Sequence, residues 1–313
     1  MTHSSAGAPP GTDLLAHVVS RLRGAGCVFA EEEAALVLEA AATPAEVEDL
    51  VSRRAAGLPL EHLLGWARFC GHRITVEPGV FVPRHRTEFL VRTATRLARD
   101  RASRAGLAGR NGRMGEAAAG EGRPITVVDL CCGSGALGLV LAHTLGGPVE
   151  LHASDIDPVA VRCARHNLRA VGGTVHQGDL FAPLPTRLRG RVDVLIANVP
   201  YVPTRMIELM PPEARLHEPR VALDGGTDGL EVFRRVLAAA PTWLAPGGHL
   251  LVESDGEQAA TAAREMEAAG LAAQVLEDHG DDSDQAIGGN DENAFEDDEG
   301  GGATVVLGTL PAS

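Results

Sequence analysis

Val127-Val128-Asp129-Leu130-Cys131-Cys132-Gly133-Ser134-Gly135-Ala136-Leu137-Gly138 decides the fold. An apolar, β-branched run enters a short glycine turn, and an apolar stretch at helical spacing leaves it. This is a buried strand feeding a helix. Glycines let the backbone approach a ligand closely, and the amide N–H groups opening the helix face whatever sits there. The spacing satisfies GxGxxG, which by itself would equally suit a nicotinamide dinucleotide. Asp129 argues otherwise, because a carboxylate at the strand end would repel a pyrophosphate yet receive the ammonium of a methionine moiety.

Downstream, strand signals recur at Val149 to Ala153, Thr174 to His176, Val192 to Ala197 and His249 to Val252, separated by helical stretches such as Pro158 to Ala170. That alternation predicts an α/β fold built on a mostly parallel, doubly wound sheet of Rossmann-like type. The last apolar segments, Leu271 to Leu276 and Thr304 to Leu307, have no helix between them and should pair as an antiparallel hairpin. The acidic, Gly-rich stretch 278–302 then forms a disordered insertion at its tip.

Upstream, apolar residues recur at helical spacing from Asp13 to Leu64, broken by Gly24, Gly26, Pro44, Gly57 and Pro59. A small helical bundle follows, with Thr43 as an N-cap, Pro44 in the first helical position and Glu46 completing a capping box. A short hairpin is expected between Arg68 and Val82, turning at Glu77-Pro78-Gly79, and a helix from Thr87 to Arg99. Residues 100–123 read as a flexible linker. The expected organisation is a helical domain with a short hairpin at 1–90, a helix and linker at 91–123, and the sheet domain at 124–313.

Composition narrows the function classes. The chain has 313 residues, 44% of them apolar, enough for a full core and a second, smaller one. Its start is not basic and no apolar run nears membrane-spanning length, so a cytoplasmic protein is expected. Five cysteines, an odd number without CxxC spacing, read as reduced thiols, and the scattered 12 histidines predict no metal site. The net charge is −14, but eleven acidic residues cluster between Glu277 and Glu299. Every basic residue is arginine, which reads as codon bias. No basic surface for stable nucleic-acid binding is apparent, and a monomer is expected.

Two further motifs carry chemistry. In Ala153-Ser154-Asp155-Ile156-Asp157-Pro158, Asp155 lies 20 residues after Gly135 and can accept both hydrogen bonds of a ribose diol, while Asp157 is placed to cap the helix that Pro158 opens. After the third strand, Asp179 and Leu180 of Gln177-Gly178-Asp179-Leu180-Phe181 can clasp an adenine, Asp179 on the exocyclic amine and Leu180 against the ring. After the fourth comes Ala197-Asn198-Val199-Pro200-Tyr201-Val202-Pro203. Its prolines stiffen the turn. The Asn198 side-chain oxygen and the Val199 carbonyl can both accept from one NH2 group, and Tyr201 offers a flat face to a planar substrate. Such an array holds an amide or aryl amine in line with a sulfonium methyl, and positioning then replaces a strong general base.

With these motifs in place, the sequence resembles the PrmC/HemK family of protein-glutamine N-methyltransferases. The resemblance extends to Pro59-Leu60-Glu61-His62-Leu63-Leu64-Gly65, Phe81-Val82-Pro83-Arg84 with Thr87-Glu88, Glu218-Pro219-Arg220-Val221-Ala222-Leu223, Gly226-Thr227-Asp228-Gly229-Leu230 and Leu244-Ala245-Pro246-Gly247-Gly248. It implies a class I methyltransferase sheet with S-adenosylmethionine as cofactor. It also implies a helical domain that recognises a protein partner, a termination (release) factor with a Gly-Gly-Gln loop. Asn198, Val199, Pro200 and Tyr201 match the family's NPPY loop, whose asparagine binds the glutamine amide. Asp129, Cys131, Cys132, Gly133, Ser134, Gly135, Asp155, Ile156, Asp179, Leu180 and Asn198 are the expected cofactor residues. The sequence departs from the family at Val199 for the first proline, at Cys131-Cys132 for a glycine-threonine pair, and at His85-Arg86 for a proline and a glutamate. Two other readings share these motifs, an adenine-amine nucleic-acid methyltransferase and a non-catalytic cofactor-binding interaction protein.

Overall fold

A computed structural model describes residues 10–111, 123–278 and 302–312. Helices α1 (Pro10–Gly24), α2 (Ala30–Ala40), α3 (Pro44–Ala55) and α4 (Leu60–Leu64) pack around Val18, Leu22, Val37, Val51 and Leu60. Thr43 caps α3 as expected: its hydroxyl accepts from the Glu46 amide at 3.3 Å while the Glu46 carboxylate accepts from the Thr43 amide at 3.2 Å.

A hairpin follows, β1 (Trp66–Phe69) against β2 (His72–Thr75). Its turn is Cys70-Gly71 and not the expected Glu77-Pro78-Gly79. Both turn residues have positive φ, 47° and 70°, the geometry whose twist matches a two-residue hairpin. Pro78 lacks the N–H a ladder requires, and its segment instead forms a separate turn closed by the Val80 amide on the Glu77 carbonyl at 3.0 Å.

Helix α5 (Glu88–Asn111) corrects a second expectation, since it continues through residues 100–111, which read as linker. Alanine and arginine are strong helix formers, and one face of the helix finds the sheet domain to pack on. Its buried residues Leu90, Val91, Ala94 and Ala98 join the core beneath the sheet. Farther along, Arg101 donates to Asp193 and, at 3.0 Å, to the Pro246 carbonyl.

The sheet comprises β3 (Ile125–Leu130), β4 (Val149–Asp155), β5 (Thr174–Gln177), β6 (Val192–Ala197), β7 (Leu244–Ser254), β8 (Ala272–Glu277) and β9 (Thr304–Thr309). Between them run α6 (Ala136–Leu145), α7 (Pro158–Leu168), α8 (Pro212–His217), α9 (Arg220–Leu223), α10 (Glu231–Trp243) and α11 (Gly256–Ala268). The strand order is β5-β4-β3-β6-β7-β9-β8. Strands β3 to β7 are mutually parallel, and β9 is antiparallel to both β7 and β8, the hairpin expected from the sequence. Every residue of β6 is buried, as a central parallel strand requires. Residues 279–301 of the acidic insertion lie outside the described residues; at its base the Asp278 amide donates to the Ala303 carbonyl at 2.9 Å. Among the described residues, no helix is long and apolar enough to cross a membrane.

Strand order reverses at β3, which lies between β4 and β6. In open α/β sheets the crevice beyond the carboxyl ends at such a reversal is where ligands bind. The opposite end is fastened by Asp193, 1% exposed at the start of β6. Its carboxylate accepts from the Thr126 amide at 2.9 Å, from Arg123 at 2.7 and 2.8 Å, and from Arg101, joining α5, β3 and β6. Replacing Asp193 with alanine strands a buried amide and two guanidinium groups. A loss of about 3 kcal/mol is expected, read as a lowered urea midpoint; a variant within about 0.5 kcal/mol of the parent would show that solvent satisfies these partners equally well.

Candidate active site

The loops leaving the carboxyl ends of β3, β4, β5, β6 and β7 meet the 83–87 segment and the α8–α9 segment around one cavity of about 820 Å³. On its β3 wall the chain must turn from strand to helix within five residues. It does so with three positions in the left-handed region, Cys131 at φ 54°, Gly133 at φ 53° and Gly135 at φ 77°. Gly133 pays nothing for this; Cys131 carries a Cβ and holds the conformation at a cost of about 1 kcal/mol or more. A Cβ added at Gly133 would meet no atom within 4 Å, so the space before it is open.

Asp155 ties this turn to β4. One carboxylate oxygen accepts from the Gly133 amide and the other from the Asp157 amide, both at 2.9 Å. Burial raises the Asp155 pKa above the usual range, and those backbone donors partly offset it. Asp157 caps α7 through the Val159 amide at 2.7 Å, as its sequence position suggests. Leu180 is a further non-glycine residue at positive φ, 47°, and its carbonyl is held by the Ser154 hydroxyl at 2.8 Å.

Cys131, Cys132, Gly133, Ser134, Asp155, Ile156, Asp179, Leu180, Asn198, Val199, Pro200 and Tyr201 all line the cavity. Asp129 and Gly135, expected beside them, do not. The Asp129 carboxylate, 1% exposed, turns behind the loop to accept from the Gly138 amide at 3.0 Å, and its other oxygen is buried without a partner among the described residues. Burial pushes its pKa up to about 7, the Gly138 bond opposes this and Asp155 adds to it. Gly135 serves packing: a Cβ there would lie 3.1 to 3.3 Å from Leu168 and Ala164 of α7, so the glycine sets how closely α6 approaches α7. Asp179 reaches the cavity wall but is paired with Arg235. Burial, reinforced by Asp129 and Asp155, raises both the Cys131 and Cys132 thiols far above their ordinary range, which keeps them as protonated thiols.

Across the cavity, Val199 and Pro200 are buried and fix the loop, with Asn198 and Tyr201 half-buried. Asn198 Nδ2 donates to the Thr87 hydroxyl at 3.4 Å, and its Oδ1 has no partner among the described residues. The Tyr201 carbonyl accepts from Gln258 at 3.0 Å, while its hydroxyl accepts from Arg86 and donates to Glu253 at 3.4 Å. Burial and the neighbouring Glu253 raise the Tyr201 pKa well above normal despite Arg86, so the phenol stays protonated.

Several lining residues escaped the sequence reading as site residues: Thr87, Arg86, Glu253, and the pair of Arg84 with Glu218 at 2.6 Å. Thr87-Glu88 and Glu218 stand in segments that carried the resemblance, which was the available signal for them. Glu253 had one too, as the first acidic residue after the apolar run of β7.

A family model described as a methyltransferase domain matches residues 122–293. A release factor glutamine methyltransferase from Geobacter sulfurreducens is 37% identical over 214 residues, 68% of this chain and 66% of that protein, so the match spans about two thirds of the relative. Another, from Deinococcus radiodurans, is 33% identical over 286 residues, covering 85% of this chain and 93% of its own. Among solved structures, a ribosomal protein L11 methylase from Lactobacillus delbrueckii subsp. bulgaricus aligns with a TM-score of 0.42 at 16% identity, over 77% of this chain and 86% of that one. The chain belongs to the release factor glutamine methyltransferase family.

Proposed function

We propose that this chain is an S-adenosylmethionine-dependent methyltransferase that methylates the side-chain amide nitrogen of a glutamine in a protein partner, a peptide chain release factor with a Gly-Gly-Gln loop. The observation that carries the reading is Asn198: an amide oxygen without a partner among the described residues, on a proline-stiffened loop, facing the same cavity as the glycine turn. Membership of the family supplies the substrate class.

The residues present fit the cofactor. Open space lies before Gly133, and the cavity exceeds what one nucleoside would fill, leaving room for an acceptor side chain. Asp155 and Ile156 would hold the ribose end, Cys131 to Ser134 the amino-acid end, and Leu180 with Asp179 the adenine, Asp179 sharing its charge with Arg235. Bound there, S-adenosylmethionine supplies a methyl group on a sulfonium. The protein's part is to orient the acceptor. Asn198 Oδ1 and the Val199 carbonyl would accept the two N–H bonds of the glutamine amide, raising electron density on its nitrogen and fixing its direction. Tyr201 would cover the planar amide. The Val199 carbonyl is backbone, so valine in place of proline leaves that acceptor available.

Residues 1–90 would recognise the partner, and the 124–313 domain would carry the chemistry. The acidic balance favours a protein acceptor over nucleic acid, and the same reading has the protein working as a cytoplasmic monomer.

Incubation with methyl-labelled cofactor and separate pools of release factors, ribosomal proteins and nucleic acid tests the proposal. Label should appear on a release-factor glutamine and fall by about 100-fold in Asn198→Ala; label on nucleic acid alone would overturn the reading. Calorimetry tests the cofactor site separately. Asp155→Ala should weaken cofactor binding by about 10-fold to 100-fold, the worth of a charged hydrogen-bond pair. Because binding needs the carboxylate ionised and burial raises its pKa, the parent's affinity should fall on acidification before an ordinary aspartate would protonate. Unchanged affinity in Asp155→Ala would remove Asp155 from the cofactor site.

A further inference from the structure

The short turn His85–Thr87, just ahead of α5, touches the acceptor loop at both of its functional side chains. Thr87 accepts from Asn198 at 3.4 Å, and Arg86 donates to the Tyr201 hydroxyl. One three-residue turn therefore braces both ends of the Asn198-to-Tyr201 loop.

The Tyr201 end is the more demanding. Its hydroxyl sits between a cation and a carboxylate: Arg86 Nε also donates to Glu253 Oε1 at 3.2 Å, and the guanidinium carbon lies 5.9 Å from the centre of the Tyr201 ring. Glu253 is 4% exposed, and its second carboxylate oxygen has no partner among the described residues. Such a carboxylate is tolerated because a cation lies against it. Without Arg86, Glu253 would be a nearly buried charge bonded to a phenol alone, and it would draw in water or turn away. Each of these releases the Tyr201 hydroxyl. The side chain would then lose its polar tether, since the 3.0 Å bond from Gln258 to the Tyr201 carbonyl holds only the backbone. The other cation nearby, Arg84, is committed to Glu218, which is itself 7% exposed.

We propose that Arg86 is a positioning residue of the acceptor side: through its joint contact with Tyr201 and Glu253 it holds the Tyr201 ring in the orientation that covers the methyl-accepting group. The inference rests on the functional reading above for what the ring covers, but not for the bracing itself. It assigns a purpose to a position where this chain departs from the family pattern.

Tyr201 is the single tyrosine among the 313 residues, which makes the test direct. Protein carrying ring-labelled tyrosine gives one set of ring signals by NMR. In Arg86→Met these signals should move toward those of an unconstrained tyrosine, and in Arg86→Lys, which keeps the charge, they should remain near the parent's. Methyl transfer at saturating cofactor should follow: kcat lower by about tenfold or more in Arg86→Met, a smaller change in acceptor KM, unchanged cofactor affinity, and recovery in Arg86→Lys. Ring signals in Arg86→Met that coincide with the parent's would overturn the proposal, as would equal kcat values. Should Arg86→Met fail to fold, Arg86→Gln carries the same comparison. A parent protein that methylates no glutamine would sink the functional reading, and the tyrosine signals would still decide the role of Arg86.

Discussion

Everything at the cavity depends on the chain turning from β3 into α6 within five residues while keeping the turn's amides within reach of a ligand. The bond from the Gly133 amide to the Asp155 carboxylate fixes that turn against β4. It joins the turn to the carboxyl end of the adjacent parallel strand, beyond the last registered pair, Leu130 with Ser154. A charged acceptor makes such a bond stronger than a neutral one would be. With it in place, Cys131 is held in a backbone region a side chain disfavours, and the Cys132 amide is free to bond the Ser154 carbonyl at 3.1 Å. Strain at Cys131 and Leu180, both on the cavity wall, is the local cost of shaping a surface around a ligand.

The acceptor wall is built by a different principle. Where the glycine turn relies on backbone freedom, the loop after β6 relies on its removal. Two prolines restrict φ, and Val199 and Pro200 are buried, so the backbone of this loop is fixed by packing. Its two polar side chains are then steadied from outside, Asn198 by Thr87 and Tyr201 by Arg86 and Glu253. Those supports come from the start of α5 and the end of β7, elements distant in sequence from the loop. The same α5 is fastened near its middle through Arg101 to Asp193, so the helix runs from the cavity mouth toward the closed end of the sheet.

What the sequence made legible follows from which interactions are local. Strands, the α7 cap at Asp157 and the capping box at Thr43 depend on neighbours within a few residues, and they appear where expected. The hairpin turn was misplaced because Glu77-Pro78-Gly79 has stronger turn composition than Cys70-Gly71, whereas the ladder chose the pair that could adopt two positive φ values. Helix α5 was cut short because its outer half lacks an apolar face long enough to show periodicity. Its hold on Asp193 and the Pro246 carbonyl is polar and long-range, invisible to a window. Asp129 was read as a ligand contact from its place at the strand end, but alternation along β3 could not reveal that its side chain would satisfy the Gly138 amide. The Arg86, Tyr201 and Glu253 cluster joins Arg86 to residues 115 and 167 positions away, and no local pattern records it.

The distribution of charge around the acceptor wall bears on how an amide nitrogen could be methylated. A strong base would have to be a carboxylate or phenolate within reach, and the three such groups beside Arg84 and Arg86 all have polar partners. Tyr201 is kept protonated by burial and by Glu253. Glu253 binds Arg86 and the Tyr201 hydroxyl, and Glu218 binds Arg84. Neutral oxygens, the Asn198 amide and the backbone of the loop, are what the loop after β6 offers to an incoming N–H. An amide needs little more, because a nitrogen that bonds both protons to fixed acceptors gains electron density while neutral, and can lose its proton after rather than before the methyl arrives. Orientation then becomes the quantity that the protein must control, which is why two separate elements brace a loop whose backbone is already fixed by proline.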